Sequence, residues 1–346
     1  MEVATKQDKE EPQPVVTYSA SLGFKLYVLC VMTLNVAGYI LLLRYTRTVD
    51  GPMYISTTTV VMIEVAKLIC SLLMLVRDNR SIGAMIRDVY KNVFCNPTDT
   101  FKMCIPSIIY MIQNNLAFVA LSNLDAGTYQ VTYQLKIVTT ALFSVALLRK
   151  NISWLQWFAI LVLFSGVACV QLQPGAFSQK SDPHMNFAVG LAAILAACLC
   201  SGFAGVYFEK VLKGSDTSLW IRNVQMYLFG IVSGLVGVYT KDYGKVMENG
   251  FFYGYTPYVW AIVAAGSIGG LYTSVVVKYT DNIIKGFSTA ISIILSSIGS
   301  FYLFGKNISL LFCLGSLLVM VAIFLYGMPR KVAPKPSESS ATTKPV

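Results

Sequence analysis

Ten apolar stretches, each long enough to cross a bilayer, leave this chain few folds to choose from. A span needs about 20 predominantly apolar residues. The sequence offers them at 24–43, 55–76, 101–123, 128–148, 153–172, 187–209, 219–239, 256–277, 286–304 and 308–327. They take up most of the 346 residues, so no soluble domain fits between them. Only 13% of the residues are charged, against about 25% in soluble domains. Hydrocarbon offers backbone groups no partner, so spanning segments become helices. The expected fold class is all-α integral membrane. Residues 1–20 are polar, with Pro12, Pro14 and no apolar run. No cleavable signal peptide is expected there, and the first helix acts as the entry signal.

The net charge of +10 would suit nucleic acid or a membrane surface, but its distribution is topological. With both termini cytosolic, 19 of the 27 Lys and Arg residues fall on the cytosolic side and six in luminal loops, while Lys67 and Lys136 lie inside helices. That asymmetry is the positive-inside rule. No nucleic-acid partner is implied, and the lipid bilayer is the expected surroundings. The eight cysteines form no CxxC pair, so neither a metal site nor a disulfide framework is expected. His184, the one histidine, falls in a polar loop and reads as solvated. With no Walker, GxGxxG or Ser-His-Asp arrangement, the chain is not expected to be an enzyme and needs no cofactor.

The halves repeat. A shift of 156 residues superposes KNIS at 150–153 on KNIS at 306–309, Asp125 on Asp281, and Lys136 on Ser292. Five helices per half is odd, so the second half enters from the opposite side. The expected architecture is two inverted five-helix repeats, 21–172 and 187–328, with a luminal linker 173–186 and disordered cytosolic tails 1–20 and 329–346. No register relates helices 1–3 to helices 6–8. KNIS is also a glycosylation sequon; Asn151 would face the cytosol and Asn307 a tight turn, so neither is expected to be modified. In the loop 77–100, Ile82, Met85, Ile86 and Val89 could form an interfacial amphipathic helix facing lipid.

The polar residues within spans carry the chemistry. Tyr129, Thr132, Tyr133, Lys136, Thr139 and Thr140 share one helical face, and Tyr110, Gln113 and Asn114 share another. A lysine at mid-membrane costs roughly 2.5–3.5 kcal/mol even on lenient scales, so Lys136 should face a wet or paired site. Lys285 follows Asp281 by one turn on a second polar stripe with Ser288, Thr289, Ser292 and Ser296. It either pairs with Asp281 or joins Lys136 to bind phosphate as a point charge. Glu64 and Lys67 are spaced to neutralise each other, and Lys67 is alternatively available to a guest. Ser201, Gly202 and Gly205 permit close helix packing or the approach of a flat ring. Asn223 and Tyr227, one turn apart, offer an amide and a ring to a pyrimidine. Tyr272, Thr273 and Ser274 lie on the eighth helix. Tyr129, beside a turn, also fits an interface belt.

QNNLAFVALSNLDAGTYQVTYQLK, SGFAGVYFEKVLKGSDTSLWIRNVQMY, NGFFYGYTPYVW and VVVKYTDNIIKGFS closely resemble the Golgi nucleotide-sugar transporters of the drug/metabolite transporter superfamily, in the UDP-galactose, UDP-N-acetylglucosamine and CMP-sialic acid subgroup. The resemblance covers residues 22–329. It implies a Golgi membrane, a central cavity, and import of nucleotide sugar in exchange for nucleoside monophosphate. It assigns substrate binding to Lys67, Tyr110, Gln113, Asn114, Tyr129 and Lys136 in the first half, with Tyr133 on the same face. In the second half it assigns Ser201, Gly202, Gly205, Asn223, Tyr227, Thr273, Ser274 and Lys285. By that pattern Asn223, Tyr227 and Ser201 contact the base, and Lys136 and Lys285 the phosphates. TYQVTYQLKIVTTALFSVALL is similar to the UDP-sugar members, and GGLYTSVVVKYTDNI to the CMP-sialic acid member. The expected activity is UDP-galactose import in exchange for UMP, extending to UDP-N-acetylhexosamines, with CMP-sialic acid/CMP exchange as the alternative. A cation exporter would need a lone cavity carboxylate, and a sugar transferase a metal-binding acidic cluster; neither pattern is seen. A homodimer is compatible with the sequence.

Overall fold

A computed structural model describes residues 20–49, 51–172, 186–305 and 309–328. The chain builds α1 (Leu22–Tyr45), α2 (Ser56–Asn79), α3 (Ile82–Val89), α4 (Pro97–Asn123), α5 (Ala126–Tyr133), α6 (Leu135–Leu148), α7 (Trp154–Gln171), α8 (Phe187–Lys213), α9 (Leu219–Gly237), α10 (Tyr243–Asn249), α11 (Pro257–Tyr279), α12 (Asn282–Phe304) and α13 (Leu310–Gly327). Ten helical segments are long and apolar enough to cross a membrane, with α5 and α6 forming one and α9 and α10 lying in another. Among the described residues there is no strand. The expectations for His184, for the linker at 173–185, for the tails 1–19 and 329–346, and for the second KNIS at 306–308 lie outside the described residues.

Local chemistry sets where the helices begin. Ser21, Asp125, Asn186, Ser218, Asp281 and Ser309 each accept a hydrogen bond from a first-turn amide. Such N-caps satisfy donors that the helix itself cannot. Ser153 and Gln156 close a capping box at α7. Pro97 and Pro257 open α4 and α11, where a missing N–H costs nothing.

Three features depart from the simplest sequence reading. The fourth span tightens at Gln134, where Ile137 N donates to the Gln134 carbonyl at 2.9 Å. The buried Gln134 amide bridges Gln130 O and the Gln171 side chain, so local hydrogen bonds replace the missing helical ones. The seventh span continues past Gly237 through a π-turn over Val238–Asp242. In α3, Ile82 and Ile86 are exposed, but Met85 and Val89 pack on the cluster of Leu75, Val93, Ile221 and Val224. Four apolar positions at this spacing cover a wide arc, so one edge meets α2 and α9 while the other faces outward.

Small residues fix the helix contacts. α7 and α13 meet at Gly166 and Gly315, where an added Cβ at either would come within 3.0 Å of the other's backbone. α6 and α8 meet at Gly202, where a Cβ would lie 2.6 Å from Thr139 Oγ1 and 2.8 Å from its carbonyl carbon. The Thr139 hydroxyl bonds Cys198 O across the same seam. Without a hydrophobic drive between helices in lipid, such close backbone approach holds them together. On the polar stripe of α12, Ser288 and Ser292 are zipped to α1 through Thr33.

Candidate functional site

A cavity of about 630 Å³ lies between α2, α4, α5 and α9. Its lining runs from Lys67, Ser107 and Met226 to Ser56, Leu121 and Lys241. It therefore opens at the helix ends opposite the start of α1 and the end of α13. Glu64, Lys67, Tyr110, Asn114, Tyr129 and Tyr133 contribute to its wall.

Of the sequence-expected residues, Lys67, Tyr110, Asn114, Tyr129 and Tyr133 line the cavity, whereas Gln113, Lys136, Asn223, Tyr227 and Lys285 lie outside its lining. Lys67 Nζ lies 2.6 Å from Glu64 Oε1 and 4.4 Å from the centre of the Tyr227 ring. Its stem crosses Gly270 of α11, where a Cβ would lie 2.5 Å from Lys67 Cδ. Lys67 is therefore an ion-pair partner and a wall residue at once. Gln113 reaches across to Tyr133, donating from Nε2 to the hydroxyl at 3.0 Å. Tyr133 stacks on Tyr129 at 5.7 Å and carries the Lys136 ammonium 4.2 Å from its ring centre. No ion pair involves Lys136 among the described residues. Lys285 is not paired with Asp281 either. One Asp281 oxygen caps α12 at Ile284 N, and the other meets Lys150.

Asn223, fully buried, donates to the Ser274 hydroxyl at 2.9 Å. Its Oδ1 and the Gln113 Oε1 are buried with no protein hydrogen-bond partner. A buried polar atom without a partner costs about 1–3 kcal/mol, a cost that a guest donating to either oxygen would relieve. Gly205 packs closely on Asn282, whose Nδ2 donates to Gly205 O at 2.6 Å and whose Oδ1 would lie 3.2 Å from a Cβ added there, with the Tyr110 hydroxyl 3.8 Å away. Gly202 is instead filled by α6, and Ser201 is half-buried beside it. The Thr273 hydroxyl returns to its own helix at Gly269 O. Asn223, Tyr227 and Ser274 thus sit deeper than the open lining, nearer the closed end.

That closed end was missed in the sequence. Glu209, Lys213 and Asn282 are buried together. Lys213 Nζ lies 2.8 Å from Glu209 Oε1 and also donates to Thr280 O. Glu209 Oε2 accepts from Asn282 N and Nδ2 at 2.9 and 3.0 Å. Beside them Arg222, 1% exposed, meets Asp99 Oδ2 at 2.7 Å and donates to Gln225 and Ser215. These groups join α4, α8, α9 and α12 at the ends nearest the termini. The i, i+4 spacing of Glu209 and Lys213 was visible, but both lie among charges that read as loop-side topology.

A sequence model of the nucleotide-sugar transporter family matches residues 20–327. The chain belongs to this family. The transporter is 47% identical to the UDP-galactose translocator of Bos taurus over 332 residues, covering 96% of this chain and 84% of that protein. It is 47% identical to the Homo sapiens UDP-galactose translocator, covering 95% and 84%. It is 44% identical to the Bos taurus UDP-N-acetylglucosamine transporter, covering 92% of this chain and all of that protein. A solved crystal structure superposes with a TM-score of 0.64 over 89% of this chain and 98% of the other at 12% identity, which supports the fold alone. The transporter is a multi-pass membrane protein that carries nucleotide sugars.

Proposed function

We propose that the transporter imports UDP-galactose in exchange for UMP, and accepts UDP-N-acetylglucosamine and UDP-N-acetylgalactosamine as further cargo. The relatives named for UDP-galactose and UDP-N-acetylglucosamine, at 47% and 44% identity, favour a UDP-sugar over CMP-sialic acid. The observation that carries the chemistry is two buried acceptors without a protein partner, Asn223 Oδ1 and Gln113 Oε1, with Lys67 on the Tyr227 ring one turn from Asn223 and Lys136 on the Tyr133 ring that Gln113 bonds. An acceptor aimed at the uracil N3–H side, with the Asn223 amide anchored by Ser274, reads a pyrimidine edge. Tyr227 packs beside it. Lys136 and Lys285 offset the desolvation of the diphosphate, and Tyr110, Asn114, Tyr129 and Tyr133 line the path of the sugar.

The same reading places the carrier in the Golgi membrane with both termini cytosolic, so that the cavity opens to the lumen. The halves 21–172 and 187–328 are inverted repeats that rock about the guest, and opening the other side requires Glu209, Lys213, Asp99 and Arg222 to separate from their partners. A homodimer is compatible with the apolar outer faces. A nucleotide panel on the reconstituted protein tests the base assignment. UMP should compete with UDP-galactose uptake at least tenfold better than CMP; equal competition, or CMP as the better competitor, would transfer the assignment to the CMP-sialic acid alternative.

A further inference from the structure

The open mouth of the cavity carries a second cation that the deep site does not use. Lys241 lies on the π-turn Val238–Asp242 that extends α9, and it lines the cavity together with Gly234, Gly237 and Thr240. Its ammonium reaches across the mouth to α4 and sits 3.9 Å from the centre of the Phe118 ring. Phe118 and Asn115 line the same opening. A cation held over an aromatic face keeps its charge and its donors. The neighbouring Asp242 is already engaged, accepting from the Thr57 hydroxyl at 2.8 Å and pairing with Lys245 at 3.3 Å. No ion pair joins Lys241 to an acid among the described residues. π-turns are rare and recur at functional positions because they re-aim the side chains they carry. A methyl at Gly237 would meet nothing within 4 Å, so the wall below Lys241 is open space.

Depth separates this cation from the others. At 1.5 Å per residue, Lys241 stands about 20 Å along the helix from Tyr227, whose ring carries Lys67. One phosphate group cannot touch both levels. Lys67 is neutralised by Glu64, whereas Lys241 offers the mouth an uncompensated charge.

We propose that Lys241 is an outer anion-binding station, which captures the phosphate dianion of a nucleoside monophosphate at the mouth before the guest descends to the deep site. This rests on the exchange reading above and adds a sided role to it. Attraction between an exposed cation and an arriving dianion acts mainly on the rate of capture and is screened by salt. The effect should therefore be confined to nucleotide arriving from the mouth.

Proteoliposomes of fixed orientation allow UMP to be varied on either face. K241Q should raise the mouth-side KM for UMP about 5–10-fold at low salt, flatten its salt dependence, and leave the opposite-side KM within twofold. K241R should restore the mouth-side KM. K245Q, which removes a similar exposed charge paired with Asp242, should change neither. An unchanged mouth-side KM, or an equal rise on both faces, overturns the proposal. A second measurement needs no transport. In detergent, inorganic phosphate should slow maleimide labelling of Gly237→Cys, read at that position by peptide mass, and adding K241Q should abolish the protection; no protection in the Lys241 protein overturns the station. Wild-type vesicles that exchange no UMP, with phosphate protection intact, would remove the exchange reading and leave the anion station standing.

Discussion

Lys213 and Glu209, one helical turn apart on α8, meet at 2.8 Å where neither side chain is more than 10% exposed. The other Glu209 oxygen holds the first residue of α12 through the Asn282 backbone and amide. A single carboxylate thus ties two helices together at the end of the molecule away from the cavity mouth.

Removing that carboxylate takes the counter-charge from the buried Lys213 ammonium, which keeps Thr280 O, and the acceptor from the Asn282 backbone N–H, while Asn282 Nδ2 keeps Gly205 O. Breaking a buried pair from one side costs about 3–5 kcal/mol. E209A should therefore lower the thermal midpoint of the detergent-solubilised protein by several degrees or reduce its folded yield. E209Q, which can still accept from Asn282, should lose less. A thermal melt of E209A that matches wild type would show that this junction does not stabilise the state described.

Lys136→Ala and Lys285→Ala remove charge without removing a close ion pair, since neither ammonium lies within 4.0 Å of a carboxylate among the described residues, although the Glu209 charge acts on Lys285. Each should cut UDP-sugar uptake at least tenfold while expression and membrane insertion remain normal. Radiolabelled uptake normalised to protein amount checks this. Wild-type uptake in Lys136→Ala would withdraw its assignment to phosphate.

N223A deletes the buried acceptor and frees the Ser274 hydroxyl. One lost hydrogen bond to a buried guest is worth about 1–3 kcal/mol, so KM for UMP should rise about 5-fold or more. Discrimination between UMP and CMP should fall with it. Competition curves for the two nucleotides on N223A measure both effects.

Two glycines give opposite expectations. A methyl at Gly202 would fall 2.6–2.9 Å from Thr139 and Thr140, so G202A must push α6 from α8 and should destabilise by about 1–3 kcal/mol. A methyl at Gly237 meets open space, and G237A should be neutral or slightly stabilising because alanine is the better helix former. Thermal melts of the pair, compared side by side, test whether the α6–α8 contact is as close as described.

The spans were legible because hydropathy over 20 residues is a strong signal; the caps at Asp125, Ser153, Asp281 and Ser309 that set their ends were not read from the sequence. Lys136 was legible because no acid lies within a turn of it. The partner of Asp281 was not legible, because Lys150 comes from a different helix end, and only the fold decides between it and Lys285. What the stripe residues Ser288 and Ser292 meet was not legible for the same reason. Periodicity gives the face of a helix but not what that face meets, and α1 covers it through Thr33. Arg222 was counted with the cytosolic-side charges and Glu209 had no reading of its own, yet tertiary packing buries both. Lys241 owes its position to a π-turn, which no residue pattern in the sequence announces.

Uptake of UDP-galactose into proteoliposomes preloaded with UMP, set against empty ones, tests the exchange mechanism most directly. An empty site would leave Lys136 and Lys285 without the phosphate counter-charge assigned to them, so the return step should require bound nucleotide and loaded vesicles should accumulate UDP-galactose several-fold faster than empty ones. Equal rates in loaded and empty vesicles would contradict it.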